Sequence, residues 1–187
     1  MGIRDQAILE TLYSTGIRRL ELINLKPSDF DEVKGTVLIR EGKGGKDRLI
    51  PVGERSLKWI RKYRDEVRIK VITEPDEAPL FLNNNGIPMK PSRLTQMTKR
   101  YIDSAGLGKS GSCHIFRHSM ATIMLEGFAN IHYIQAILGH PKLETTQVYT
   151  KVSITKLKEI HEKTHPGVLS RIEAKLKNQN ELNNTSI

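Results

Sequence analysis

Residues 35–52 read GTVLIREGKGGKDRLIPV. Two β-rich runs, 35–41 and 47–52, flank a Gly/Lys spacer, which predicts two strands joined by a hairpin or near-hairpin loop. This stretch decides the fold class, because nearly everything around it has helical spacing. Upstream, Ile8, Leu9 and Leu12 recur at helical intervals over 4–14 and stop at Gly16, and 18–25 reads as a second short helix ended by Pro27. Downstream, 56–71 places Leu57, Ile60, Val67 and Val71 on one face, with Arg61, Lys62, Arg64, Arg68 and Lys70 mostly off it. That is an amphipathic basic helix, either a solvated face or a contact for phosphate. PLFLN (79–83) predicts a further short strand before an NNNG loop, and Ser92 is expected to cap a helix carrying Leu94, Met97, Tyr101 and Ile102. GLGKSGS (106–112) is a breaker-rich connection. Helices follow over about 114–126, 130–138, 145–152 and 154–163, closed by Pro166-Gly167. The expectation is an α+β unit, mostly α-helical with a small three-stranded antiparallel sheet. It covers 1–166, and a C-terminal helix with a polar tail follows over 167–187.

Composition narrows the partners. The chain has 187 residues, enough for one sizeable core with an appendage. Its 30 Lys+Arg against 21 Asp+Glu leave a formal charge of +9. Such a balance favours an anionic partner, nucleic acid being the commonest, with a solvated basic surface as the plain alternative. A single cysteine, Cys113, excludes an intramolecular disulfide framework and most cysteine-based zinc sites, and fits a reducing cytoplasm. No apolar run approaches the roughly 18 residues of a membrane span, and the opening MGIRDQAILETLYSTG lacks the design of a signal peptide.

Five groups could carry chemistry: Arg18 in STGIRRLELINL, Lys43 and Lys46 in EGKGGKDR, His114 and Arg117 in CHIFRHS, His140 in LGHP, and Tyr149. Each has a dull explanation alone. Arg18 could simply pair with Glu21 three residues on, GKGGK could be a turn, and His114 and Arg117 merely share a helix face. Together they differ: arginine, lysine and histidine are all donors toward anionic oxygen, and Tyr149 is the one nucleophile among them. Arginine presents a planar fork that matches phosphate, and two forks would neutralise charge building on phosphorus. A phenol with a pKa of about 10 is roughly one-thousandth ionised at pH 7, a deficit of about 4 kcal/mol that nearby cations and a proton-accepting histidine would reduce. A lysine on a loop suits proton donation to a departing alkoxide.

The order and spacing of these residues resemble the tyrosine recombinase (phage integrase) family, Xer-like members in particular. TGIRRLEL is similar to its first-arginine box, GKGGKDRLIPV to its β-hairpin lysine, HIFRHSMAT to its His-x-x-Arg box, and LGHPKLETTQVYTKV to its second-histidine and nucleophile box. The likeness covers roughly residues 3–166. It implies the family's catalytic-domain fold and a site-specific DNA recombinase or integrase that cuts and rejoins strands without metal or cofactor, through a 3′-phosphotyrosyl link. By the resemblance, Arg18 and Arg117 grip the scissile phosphate and Lys43 protonates the leaving 5′-hydroxyl, with Lys46 as the fallback. His114 accepts the Tyr149 proton or binds phosphate, His140 donates to phosphate, and Tyr149 attacks. Glu21 and His118 are expected as supporting groups. Arg19, Lys46, Arg48, Arg93, Lys99 and Arg100 are expected against double-stranded DNA. The resemblance also implies four protomers on DNA, with a monomer in solution open for this chain, and a cytoplasmic bacterial or phage setting. The family's N-terminal core-binding domain is expected to be absent. The stripe Leu169, Ile172 and Leu176 would pack on its own domain or, by the analogy, on a neighbouring protomer.

Two rival classes are set beside this one. A non-enzymatic helix-turn-helix regulator would suit the charge and the helices over 114–152, but leaves Arg18, GKGGK and the Tyr149 spacing unexplained. A metal-dependent nuclease needs clustered carboxylates, and the acidic residues here are scattered. His161 and His165 have the i,i+4 spacing of metal ligands but no nearby cysteine and no third ligand in reach, so a zinc site is not the expectation.

Overall fold

The computed structural model describes residues 1–40, 46–73, 78–106, 108, 111–139 and 154–167. Lys43, His140 and Tyr149, the helix expected over 145–152 and the 169–176 stripe all lie outside the described residues.

Helix α1 (Ile3–Thr15) runs through the middle of the core, with Ala7, Ile8 and Leu12 wholly buried. Its polar residues are buried too, and they are partnered. The Thr11 hydroxyl donates to the Ala7 carbonyl at 2.7 Å and that of Thr15 to Thr11 at 2.6 Å, while Asp5 accepts from the Tyr101 hydroxyl at 2.9 Å. Gly16 ends α1 in the left-handed region at φ 59°, its N–H donating to the Leu12 carbonyl. A β-carbon there would run into Met120 and Leu138, so glycine is required by space as well as by φ. The chain then re-enters a helix as α2 (Arg19–Asn24).

The sheet has the order β1-β2-β3, all antiparallel: Phe30–Asp31, Thr36–Ile39 and Arg48–Pro51. Val37 faces Ile50 and Ile39 faces Arg48 across the hairpin. The third strand is therefore not 79–83. That segment makes only an isolated bridge, Leu82 to Pro88, while Leu80, Phe81 and Leu82 are buried as core. The two-residue β1 is too short to leave a periodic signal in sequence.

The basic helix is broken in an informative way. It begins as α3 (Glu54–Tyr63), widens into a π-turn over Arg64–Arg68 and finishes as α4 (Ile69–Val71). Arg61 and Arg64 both pair with Glu32. Arg68 instead turns inward and donates to the carbonyls of Ala78, Pro79 and Leu80. Helix α5 (Pro91–Ser104) starts with Pro91 in its first turn and Lys90 as its N-cap, so the expected Ser92 cap is corrected: Ser92 lies inside the helix. Helices α6 (Cys113–Glu126), α7 (Ile131–Leu138) and α8 (Ile154–Thr164) follow the sequence expectation closely. Met120 and Met124 of α6 and Ile134 and Ile137 of α7 complete the core against α1.

The histidines at 161 and 165 pack against the end of α1. His161 and His165 stack at 4.5 Å, and their Nε2 atoms lie 3.0 Å from the carbonyls of Ser14 and Tyr13. A carbonyl only accepts, so both Nε2 atoms carry hydrogen; Nδ1 of His165 in turn accepts from the Gly167 N–H at 3.1 Å. The ring is thus bonded as a neutral imidazole. Burial, the neighbouring His161 and, in opposition, the Tyr13 carbonyl bring its pKa down to about 4.

Candidate active site

Three arginines from three distant parts of the chain meet around one carboxylate. Arg18 is the N-cap residue of α2, reached directly after the Gly16 turn. Its Nη1 donates to Glu21 Oε1 at 2.8 Å and its backbone N–H to Glu21 Oε2 at 2.8 Å, so the carboxylate caps the helix and orients the arginine at once. Arg48, at the start of β3, forks both Glu21 oxygens, Nη1 to Oε1 at 3.0 Å and Nη2 to Oε2 at 2.8 Å. Burial alone would raise the Glu21 carboxyl. The bonds from Arg48 and Arg18 outweigh it and hold the pKa at about 2.

Arg117 sits one turn into α6, on the far side of the same cluster. Its Nη1 donates to the Gly16 carbonyl and its Nη2 to the Leu138 carbonyl, both at 2.7 Å. Burial, then the charges of Arg18 and Arg48, lower its pKa to about 10, with Glu21 opposing. It stays cationic at neutral pH, and among the described residues three guanidinium groups face one carboxylate.

The end of α7 supplies the frame. Its last carbonyls have no partner inside the helix. Arg48 Nε donates to the Ile137 carbonyl at 3.1 Å, Arg117 to Leu138, and Arg18 Nη2 to Gly139 at 2.9 Å. Three successive carbonyls at the negative end of a helix thus each hold one guanidinium. Gly139 turns the chain at φ 64°, and a β-carbon there would lie 2.9 Å from the Arg48 guanidinium carbon.

His114 is exposed in the first turn of α6, one helical turn before Arg117. His118 is exposed and lies about 100° round the helix from Arg117. Arg19 is exposed and bonds Thr95 on α5 at 3.0 Å. Arg93, Lys99 and Arg100 are exposed on α5, with Arg100 also over the Tyr101 ring, and Lys46 is exposed just before β3. Arg48 departs from the expectation. Rather than facing outward toward DNA, its side chain is 14% exposed and donates from three nitrogens to protein oxygens. The signal was present in DRLIPV: in a strand, 48 and 50 share a face, and Ile50 is wholly buried whereas Leu49 is not.

The sequence pattern of the phage integrase family matches residues 1–156. This chain belongs to the phage integrase family. Among its curated relatives, tyrosine recombinase XerC 2 of Ralstonia nicotianae is 47% identical over 170 residues, covering 91% of this chain and 49% of the relative. Tyrosine recombinase XerD of Chlorobaculum tepidum is 38% identical over 164 residues, covering 88% of this chain and 54% of the relative. The chain therefore spans about half the length of the curated relatives it matches. Among solved structures, XerA recombinase superposes with a TM-score of 0.69 at 35% identity, covering 88% of this chain and 59% of that one. XerH site-specific recombinase, solved on a palindromic difH substrate after cleavage, superposes at 0.65 with 27% identity, covering 86% and 45%. The α+β fold with its small antiparallel sheet is the tyrosine recombinase catalytic-domain fold. These integrase-family relatives are recombinases, so the helix-turn-helix regulator reading is not favoured. Among the described residues no helix is long and apolar enough to cross a membrane.

Proposed function

We propose that this chain cuts and rejoins DNA strands by transesterification at a phosphodiester, with Tyr149 as the nucleophile. The observation that carries the reading is the surplus of positive charge around Glu21. A phosphodiester brought against Arg18 and Arg117 would meet two guanidinium groups already fixed in place, each with N–H donors beyond those bonded to the described residues. As charge grows on the phosphoryl oxygens, those groups stabilise it without reorganising.

The Tyr149 oxygen attacks phosphorus, its proton passing to His114 or to water, and the bond to the sugar 5′-oxygen breaks. Lys43 supplies the proton that oxygen takes up, with Lys46 as the alternative donor, and His140 donates a hydrogen bond to the phosphate. A 3′-phosphotyrosyl link and a free 5′-hydroxyl result. The same hydroxyl, or one from a second strand, attacks the link in reverse and releases the phenol. One phosphoester is exchanged for another, so the balance requires neither ATP nor a divalent ion. The exposed cations Arg19, Lys46, Arg93, Lys99 and Arg100 are assigned to the duplex backbone, and exchange between two duplexes calls for four protomers. The compartment that fits is one holding DNA, the bacterial cytoplasm.

The test is covalent capture in EDTA. A pool of duplexes with randomised arms and one nick, placed so that the cleaved fragment diffuses away, is incubated with the chain, and adducts are isolated under denaturing conditions. A protein–DNA adduct is expected from the parent chain and none from Tyr149→Phe. A folded parent chain that binds duplexes of the pool yet forms no adduct would overturn the proposal.

A further inference from the structure

We propose that Arg48 is a positioning residue of this site: by satisfying Glu21 and the Ile137 carbonyl it leaves Arg18 free to present its guanidinium to an anion. The inference rests on the strand-transfer reading above only for one of its three readouts.

Hydrogen-bond supply around Glu21 sets the constraint. Glu21 is 7% exposed and ionised, and a carboxylate buried that deeply must have its oxygens filled. Four donors fill them here, two from Arg48 and two from Arg18. Arg18 contributes a single guanidinium N–H to the carboxylate and one to Gly139, so three of its five N–H groups are uncommitted to these oxygens. Without Arg48, Glu21 would lack both arms of its fork, and the nearest side-chain replacement would be the rest of the Arg18 guanidinium. Swinging Arg18 onto both oxygens would pull it from the Gly139 carbonyl and turn its free edge away from the cluster.

Charge points the same way. One arginine is needed to neutralise Glu21; with Arg48 in that role, the charges of Arg18 and Arg117 remain for a ligand. Arg48 also lies against Gly139 and bonds Ile137, so it braces the helix end on which the other two guanidinium groups rest. A direct phosphate contact is a poor fit to a side chain so enclosed, whose three nitrogens already donate to protein.

Three measurements on Arg48→Met and Arg48→Lys decide it. In carbon-detected NMR titration, the Glu21 carboxyl should titrate well above its parent value in Arg48→Met, with Arg48→Lys between the two. Affinity for a random-sequence duplex, followed against salt, should keep the parent slope, because no phosphate contact is lost. Adduct formation at saturating recovered duplex should fall roughly 100-fold in Arg48→Met. The loss should nearly vanish when Glu21→Gln is already present, since a neutral amide no longer draws Arg18 away. An unchanged Glu21 titration would overturn the proposal, as would a salt slope reduced by about one, which marks a direct phosphate contact. If Arg48→Met does not fold, Arg48→Lys, which keeps the charge and loses the fork, carries all three readouts. A parent chain that forms no adduct would sink the strand-transfer reading while the titration still decides Arg48.

Discussion

Arg117 is the arginine on which the proposed chemistry leans most directly. It is half-buried, cationic and held by two carbonyl oxygens at 2.7 Å rather than by a carboxylate of its own. Lysine would keep the charge but not the planar pair of donors. For Arg117→Lys we expect a folded protein that still binds duplex DNA, with adduct formation slowed roughly 100- to 1,000-fold in single-turnover assays. A rate within a few-fold of the parent would show that the fork is not used. His165 makes a prediction of a different kind. Its folded pKa of about 4 lies below the ordinary histidine value of 6.5, so between these pH values the unfolded chain holds a proton that the folded chain does not. Stability is therefore full above pH 6.5 and is lost as pH falls toward 4, by up to about 3 kcal/mol from this one group. Urea unfolding at pH 7 and pH 4.5 should show a clear drop for the parent and a smaller one for His165→Gln. Equal drops would assign the acid sensitivity elsewhere.

Among the elements, the turn between α6 and α7 carries a local cost. Phe128 is in the left-handed region at φ 62° with its side chain 97% exposed, so a strained backbone is offset by little packing. Phe128→Asn, a residue that tolerates this region, should raise stability by about 0.5–1 kcal/mol, read from the shift of the denaturation midpoint. A loss of stability would mean that the ring is covered in solution. The elements also show what a linear reading can hold. The hairpin was legible because β-rich runs bracket a Gly/Lys spacer, and Arg18 because a breaker, Gly16, precedes it. The two-residue β1 has no period to detect, and the π-turn at 64–68 leaves the apolar stripe of Leu57, Ile60 and Val67 apparently unbroken. Arg48 carries no outward sign of its enclosure except the alternation that pairs it with buried Ile50. Glu21 was legible as a partner of Arg18, but its second arginine comes from 27 residues away, a distance that only the fold closes.

At the scale of the whole molecule, a formal charge of +9 predicts binding that weakens steeply with salt. Neutralising several phosphates should give a log–log slope of about −0.9 for each, measured by fluorescence anisotropy on a labelled duplex between 50 and 200 mM salt. A flat response would argue against nucleic acid as the partner. The far end of the described chain has a further bearing on how this molecule comes into being. Because His161 and His165 grasp carbonyls 147 and 152 positions earlier, the clasp on the close of the first helix forms only after the ribosome has added α8. Contacts of such long range are slow to form. A nascent chain that stops short of α8 therefore lacks the clasp on the stretch leading into Gly16 and Arg18.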